Sequence, residues 1–361
     1  MIIERDAFYD ALQKLVGITE RRSVLPVLKN IKVVFGEKTT VTATDLEVSA
    51  MVTLPQADDE MELCINGRLL FDILKGLEKG DVDILRDGAI AYIKQGKTVY
   101  TLALADSGDY PSVDKDLEDV SVEFTLESKV LLDAIRRVEY AVSDDDTRYQ
   151  IGGVRLMTHN GKLATIGTDG YRLAMNIKDT PLVFDGVTIP KKALSDIYNI
   201  VGMGEQVNVS VGKSAVKFVT AKSLLICRTI DAAYPQLDAV ISVNGDHNDA
   251  AVNRIEFLRA VKKVMIMAPK DRVIKASFMK NVLSLQAEGD VGKAKETIPL
   301  EYDGGDVDFC LNGKFLIDVL GNGTDDTVIL KTPKPECAVG RSIFFIEKDA
   351  ATLGIVMPIR V

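Results

Sequence analysis

The chain is poor in the residues on which most catalysis and metal binding rely. Among 361 residues there are two histidines, four cysteines and no tryptophan. His159 and His247 lie in polar, turn-like stretches, and nothing around either points to a nucleophile–base pair. Cys64, Cys227, Cys310 and Cys337 are scattered without CxxC spacing, which argues against a zinc site and a disulfide framework and for a reduced chain. Long apolar runs are lacking as well. Asp, Lys, Arg or Gly interrupts each one short of the roughly 20 residues that span a bilayer, so no membrane role is expected. The stretch MIIERDAFYDAL carries charges where an export signal requires apolar residues, and a cytoplasmic location is expected.

Three local patterns imitate ligand motifs and fail. Gly212-Lys213-Ser214 resembles the end of a phosphate loop, but Val207 stands where the upstream glycine is required, so a hairpin turn is the better reading. Gly202-Met203-Gly204 follows a helix and not a strand. Asp144-Asp145-Asp146 reads as a solvated acidic turn, because adjacent residues cannot all face one ion and no downstream glutamate completes a calcium loop. No catalytic residue, metal or cofactor is expected.

What the chain has is repetition. NGRLLFDILKGL, from Asn66, returns as PKKALSDIY, from Pro190, and as NGKFLIDVLGNG, from Asn312. The three align on Arg68, Lys192 and Lys314 at intervals of about 120 residues. A second phrase keeps the same period: FYDALQKL, LLDAIRRV and FLRAVKKV, each with a basic residue three positions after an alanine, namely Lys14, Arg137 and Lys263. Two phrases in one order, three times each, imply three tandem copies of one fold. The turn-rich stretches DKDLEDV and SVNGDHND place the boundaries, giving domains 1–118, 119–243 and 244–361.

Within a copy both phrases have helical periodicity. Phe8, Ala11, Leu12 and Leu15 fall on one face, and Gly76 with Gly80 is expected to end the second helix. The remainder alternates with period two, and HNGK and KQGK read as hairpin turns. Each copy is therefore two helices plus roughly eight short strands, an α+β unit with antiparallel sheets.

The repeated helices carry the clearest functional signal. Lys14, Arg68, Lys75, Arg137, Lys191, Lys192, Lys263 and Lys314 are basic in a protein whose net charge is −9. Any one of them is an ordinary solvated residue. The same positions basic in three copies would face one place if the copies surround an axis, a surface suited to phosphates rather than to base edges. Two other stretches stand out. TDGYRLA, from Thr168, has exposed-looking Tyr171 and Arg172, and the chain ends in GIVMPIRV, apolar almost throughout. The tail reads as a final strand, as part of an apolar groove for a partner peptide, or as both.

Several phrases resemble the bacterial sliding clamp family, the beta subunit of DNA polymerase III. They are RSVLPVLKNI, ATDLEVS, TRYQIGGV, ATIGTDGYRLA, IDAAYPQL and the terminal VMPIRV, spread in family order over essentially the whole chain. The resemblance implies a head-to-tail homodimer whose six domains form a ring, helices inside. It implies encirclement of duplex DNA without sequence specificity and tethering of the replicative polymerase, the clamp loader and other replication and repair proteins. By motif match it adds Arg22 to the DNA contacts. It also implies a partner groove of Ile151, Thr168, Gly170, Tyr171, Arg172, Leu173, Pro235, Val240, Val356, Met357, Pro358 and Arg360, to which short peptides with a glutamine and apolar side chains dock. The dimer contact would join Tyr100 and Leu102 to Ile266 and Met267. Gln150 stands where some members have a second tyrosine and Tyr171 where many have histidine, which would alter the peptide flanks preferred, and the acidic Asp144–Asp146 loop departs from the family's less acidic one. The competing reading is a peptide-binding scaffold that does not bind DNA.

Overall fold

The structure, a computed structural model, describes residues 1–19, 25–57, 59–113, 117, 119–241, 247–334, 342–347 and 351–359. Two compact units are present, residues 1–132 with 192–229, and residues 133–191 with 230–361. The first unit holds β1 (Ile2–Glu4), α1 (Arg5–Leu15), β2 (Asn30–Phe35), β3 (Thr39–Thr44), β4 (Val48–Leu54), β5 (Met61–Asn66), α2 (Gly67–Gly76), β6 (Asp81–Asp87), β7 (Ile90–Gln95), β8 (Thr98–Ala103) and β9 (Val122–Glu127). α3 (Ser128–Glu139) begins there, and α4 (Leu194–Val201), β14 (Gln206–Val211), β15 (Ala215–Val219) and β16 (Ser223–Arg228) complete it. The second unit takes the rest of α3, then β10 (Gly153–His159), β11 (Lys162–Thr168), β12 (Arg172–Pro181) and β13 (Val187–Pro190). It continues with α5 (Asp238–Ile241), β17 (His247–Asn253), α6 (Arg254–Val264), β18 (Val273–Met279), β19 (Val282–Gly289), β20 (Gly292–Pro299), β21 (Val307–Asn312), α7 (Gly313–Asn322), β22 (Thr327–Pro333), β23 (Ile343–Glu347) and β24 (Thr352–Val356).

The order strand, helix, four strands, helix, three strands occurs three times, so the expected two helices and eight strands per copy are found. The expected boundaries fall close to residues 114–118 and 242–246, most of which lie outside the described residues. In every copy the first strand and the last three form one sheet, and the middle four form another. The copies are joined by strand pairing. β4 pairs with β16 in one eight-stranded sheet, and β12 pairs with β24 in the other, each antiparallel over five residue pairs. Two four-stranded sheets remain, ending in β8 and in β20.

The recurrent Asn-Gly of the helix phrase now has a physical account. Asn66 Oδ1 accepts the Leu69 amide at 2.9 Å, and Asn312 Oδ1 accepts the Lys314 amide at 2.9 Å, so each asparagine caps a helix whose first amides lack partners. The glycine follows because a side chain there has no room: a Cβ on Gly67 would meet Ile31 Cγ2 at 2.8 Å, and one on Gly313 would collide with Met265 Sδ. The middle copy has Pro190-Lys191 instead and starts α4 through a 3-10 turn, Lys191–Ala193, without a side-chain cap. α2 stops at Gly76, but Leu77 after it is extended; the left-handed glycine is Gly80, at φ +120°, which turns the chain into β6. Phe8, Ala11, Leu12 and Leu15 are all buried, and the Phe8 ring stands edge-on to Phe35 at 6.4 Å. Asn160 and Gly161 both have positive φ, as the HNGK hairpin requires.

The aspartate that ends the aligned phrase has a distinct setting in the middle copy. Asp196, on α4, is partly buried, and burial together with the nearby charge of Asp45 raises its carboxyl from the ordinary 3.8 to about 6. A carboxyl whose pKa rises on folding favours the fold below its unfolded pKa, and that contribution is lost as pH rises through the folded value. Asp196→Asn is therefore expected to raise the melting temperature at pH well above 6 and to change it little below 3.8. An equal shift at both pH values, measured by scanning calorimetry, would refute the assignment.

Candidate peptide groove and cationic helix faces

The groove begins with the turn between β11 and β12. Thr168 Oγ1 accepts the Gly170 amide at 3.1 Å and donates to the Arg172 carbonyl at 2.6 Å. Asp169 Oδ1 accepts the amides of Tyr171 and Arg172 at 2.9 and 3.0 Å. Gly170 sits at φ +85°, a conformation that costs most side chains strain. The turn is thus fixed by its own side chains, and it leaves Tyr171 55% exposed at the rim. Arg148 lies over the Tyr171 ring at 5.3 Å and donates to the Asp169 carbonyl at 3.1 Å.

Arg172, read from sequence as an exposed rim residue, is turned inward. Its side chain is 13% exposed, bonded to Asp169 Oδ2 at 2.9 Å and to Asp318 Oδ2 at 2.6 Å, and its guanidinium covers the Phe315 ring at 4.4 Å. Leu173 faces the opposite side of the sheet, 4% exposed, in an apolar cluster with Ile166, Met175, Leu237, Phe344, Leu353 and Ile355. On this face lies a cleft of about 160 Å³ lined by Ile151, Thr168, Gly170, Tyr171, Arg172, Leu173, Pro235, Gln236, Leu237, Val240, Ile355 and Met357. Met357 donates its amide to the Tyr171 carbonyl at 3.0 Å, so the chain beyond β24 is held against the turn.

Nine of the twelve expected groove residues line this cleft. Val356 does not. It is 1% exposed and packs in the other core with Phe257, Leu316 and Leu330, because its partner across the ladder is Arg172 and paired residues share a face. Ile355, opposite Leu173, takes the place expected of Val356. Strand parity held that signal: with Leu173 facing the groove, its cross-strand partner must face it too. Gln236 and Leu237 were likewise not anticipated, although they continue the Tyr-Pro phrase that supplies Pro235. Pro358 is not among the lining residues, and Arg360 lies outside the described residues. Most of the described lining residues are apolar, and such a surface suits apolar side chains.

The repeated cations divide into two kinds. Arg68, Lys192, Lys263 and Lys314 have side chains about half-exposed or more, and each pairs with a carboxylate: Asp72 at 3.7 Å, Glu47, Glu296 at 2.9 Å and Asp318 at 2.5 Å. Lys191 pairs with Asp144 at 2.5 Å, which gives the acidic turn a structural partner. Lys14 is partly exposed and Lys75 exposed. Arg137 departs from the expectation of a phosphate-facing cation. Its side chain is 17% exposed and tied to Asp133 at 2.9 Å, Glu347 at 3.3 Å and Thr324 at 3.2 Å. The exposed residue beside it is Arg136, one position earlier on α3. Arg22 lies outside the described residues. Tyr100 and Leu102 sit on the edge strand β8, with Leu102 only 9% exposed, and Ile266, 78% exposed, and Met267 form the 3-10 turn after α6.

Comparison with known families places this geometry. Models of the DNA polymerase III beta subunit match in tandem: its N-terminal domain over residues 1–114, its central domain over 125–236 and its C-terminal domain over 244–336. The chain belongs to this family. It is a sliding-clamp protein of three α+β domains and not an enzyme. Among its relatives, the beta sliding clamp of Pseudomonas aeruginosa is 29% identical over 329 residues, 88% of this chain and 89% of that one. The beta sliding clamp of Proteus mirabilis is 25% identical over 99% of both chains. The crystal structure of the Pseudomonas aeruginosa subunit superposes with a TM-score of 0.92 at 27% identity, covering both chains completely. Among the described residues no helix is long and apolar enough to cross a membrane, and no group of three or more His, Cys, Asp or Glu could hold a metal ion.

The Arg137 cluster gives a direct test of its structural role. Glu347 is 5% exposed and also accepts the Thr324 amide at 2.6 Å. Glu347→Ala would leave a largely buried guanidinium short of a partner, a loss of about 3 kcal/mol by the measure of broken buried pairs. Urea titration should show it, and Arg137→Ala should destabilise without changing the salt dependence of duplex binding. A change in that salt slope would return Arg137 to the DNA surface.

Proposed function

We propose that two copies of this chain, each with domains 1–118, 119–243 and 244–361, close head to tail around duplex DNA in the cytoplasm and hold replication proteins through the cleft beside Tyr171. The observation that carries this reading is the state of the sheet edges. Within the chain, the last strand of one copy pairs with the fourth strand of the copy before it, as β16 with β4 and β24 with β12. Among the described residues, only β8 and β20 occupy those two positions without such a partner. An unpaired edge strand is a template for another strand, and here each edge belongs to the class that the other completes. Pairing β20 of one chain with β8 of a second repeats the internal joint and keeps the contact heterologous; the family resemblance sets the number of chains at two. Tyr100 and Leu102 on β8 would then approach the end of α6, where Ile266 stands exposed.

The cation pattern supports contact with phosphates at low affinity. Exposed pairs such as Lys263–Glu296 contribute about 0–1 kcal/mol, so a phosphate displaces the carboxylate at little cost. The same carboxylates limit how tightly DNA is held, which suits a protein that must move along it and whose hold comes from closure. Arg22, Lys14, Arg68, Lys75, Lys191, Lys192, Lys263 and Lys314 remain the proposed contacts. The cleft would take a short peptide with one or two apolar anchors from the polymerase, the loader or another partner.

Ile266→Asp combined with Met267→Asp is expected to give a folded monomer in analytical ultracentrifugation. Loaded wild-type protein should stay on closed circular duplex and leave linear duplex by its ends, whereas the monomer should be retained on neither. Equal retention of the wild type on both would refute encirclement. For the cleft, Leu173→Ala is expected to weaken a labelled partner peptide by about 2 kcal/mol, roughly thirtyfold in Kd, with the dimer intact. An unchanged Kd would place the peptide elsewhere.

A further inference from the structure

The proposed DNA surface and the proposed peptide groove share one carboxylate. Asp318, on α7, is 14% exposed and holds two cations at once: Lys314 Nζ on Oδ1 at 2.5 Å and Arg172 Nη1 on Oδ2 at 2.6 Å. Arg172 passes the connection on, because its Nε bonds Asp169 Oδ2 at 2.9 Å. Asp169 in turn fixes the amides of Tyr171 and Arg172, and so the turn that forms one wall of the cleft. Phe315, next to Lys314 on α7, supports the Arg172 guanidinium from below at 4.4 Å. The chain Lys314–Asp318–Arg172–Asp169–Tyr171 therefore runs unbroken from an exposed helix lysine to the groove rim.

We propose that Asp318 is a relay through which duplex DNA tightens the peptide groove. The inference rests on the reading of Lys314 as a phosphate contact. Without DNA, Asp318 divides its charge between Lys314 and Arg172. A phosphate that takes Lys314 leaves the carboxylate to Arg172 alone. The shorter list of partners holds Arg172, and with it Asp169 and the Tyr171 turn, in one arrangement. A peptide then binds a wall already ordered and loses less freedom on binding. Linkage makes the effect reciprocal: a bound peptide should strengthen the hold on DNA by the same factor. The size is set by the pair being shared. Lys314 is 48% exposed, and exposed pairs contribute little, so the expected change is about threefold in Kd.

The experiment uses the full dimer and two probes: a fluorescein-labelled short peptide with one glutamine and two apolar residues, and a linear duplex at low salt. Anisotropy gives the peptide Kd with and without saturating duplex, and a separate salt titration gives duplex affinity for each variant. In the wild type, duplex should lower the peptide Kd about threefold. Lys314→Ala should bind peptide without DNA as tightly as the wild type does with it, and should show no further response, since its Asp318 already belongs to Arg172. Asp318→Asn should weaken the peptide in both states and abolish the response. A wild-type Kd that duplex leaves unchanged or raises would overturn the relay. So would a Lys314→Ala variant with weakened duplex affinity and an undiminished response. If Lys314→Ala leaves duplex affinity and its salt slope untouched, the phosphate reading of Lys314 falls, and the relay falls with it.

Discussion

The structure depends on antiparallel pairing between edge strands of successive copies. A sheet edge is a row of unmet backbone donors and acceptors, and a fold that leaves one open invites association with whatever strand arrives. This chain meets the problem twice internally, by joining β4 to β16 and β12 to β24, and each join turns two four-stranded sheets into one of eight. The helices lie on the middle sheet of their own copy: α1, with Phe8 buried, packs against β3 and β4, and α6, with Phe257 buried, packs against β19 and β20. Among the described residues, β8 and β20 have no such partner within the chain. The proposed assembly would therefore be not an addition to the fold but the same interaction applied once more.

Much of this was legible in the sequence. The threefold period, the two helices per copy and the hairpin turns follow from spacing and turn chemistry, and they are where local preference and tertiary structure agree. What was not legible is which strands lie side by side across copies, since pairing β4 with β16 joins residues far apart in sequence and leaves no short-range mark. The site shows the same division. Thr168, Gly170 and Tyr171 belong to a turn whose geometry is local, and the sequence named them. Val356 was misread for Ile355 because a strand's facing depends on its register against β12, and a shift of one residue reverses it. Arg137 was misread because the charge of a helix residue does not reveal its neighbours: Glu347 and Thr324, which hold it, come from the third copy.

Aligned aspartates show how one inherited position serves different ends. Asp72 is 56% exposed and pairs weakly with Arg68, the i−4 residue on its own helix. Asp196 is withdrawn from solvent near Asp45, and burial raises its pKa. Asp318 gains Arg172 as well as Lys314 and becomes part of the groove's support. The helix phrase dictates only that a carboxylate stands one turn after a basic residue. What packs beside the helix decides whether that carboxylate is solvated, buried or shared.

The two internal joins also explain why the groove belongs to one of them. Their turns are alike in detail. Thr44 Oγ1 accepts the Leu46 amide at 3.0 Å, and Asp45 Oδ1 accepts those of Glu47 and Val48 at 2.9 and 2.6 Å, the pattern seen at Thr168 and Asp169. Leu46 has φ +75° where Gly170 has +85°. The Arg228 amide reaches the Glu47 carbonyl at 2.8 Å, as the Met357 amide reaches that of Tyr171. Even the linkers match, Tyr110-Pro111-Ser112-Val113 answering Tyr234-Pro235-Gln236-Leu237, with Val113 and Leu237 both buried. The backbone therefore offers the same frame twice, and the difference lies in the side chains at its mouth. The first join presents Glu47, paired with Lys192, and exposed Arg228, which an apolar anchor would have to strip of water. The second presents Tyr171 and Met357, an aromatic ring and a flexible thioether, both of which gain from covering apolar surface. On the proposed reading, one frame with two chemistries would give each chain one structural joint and one joint suited to a partner.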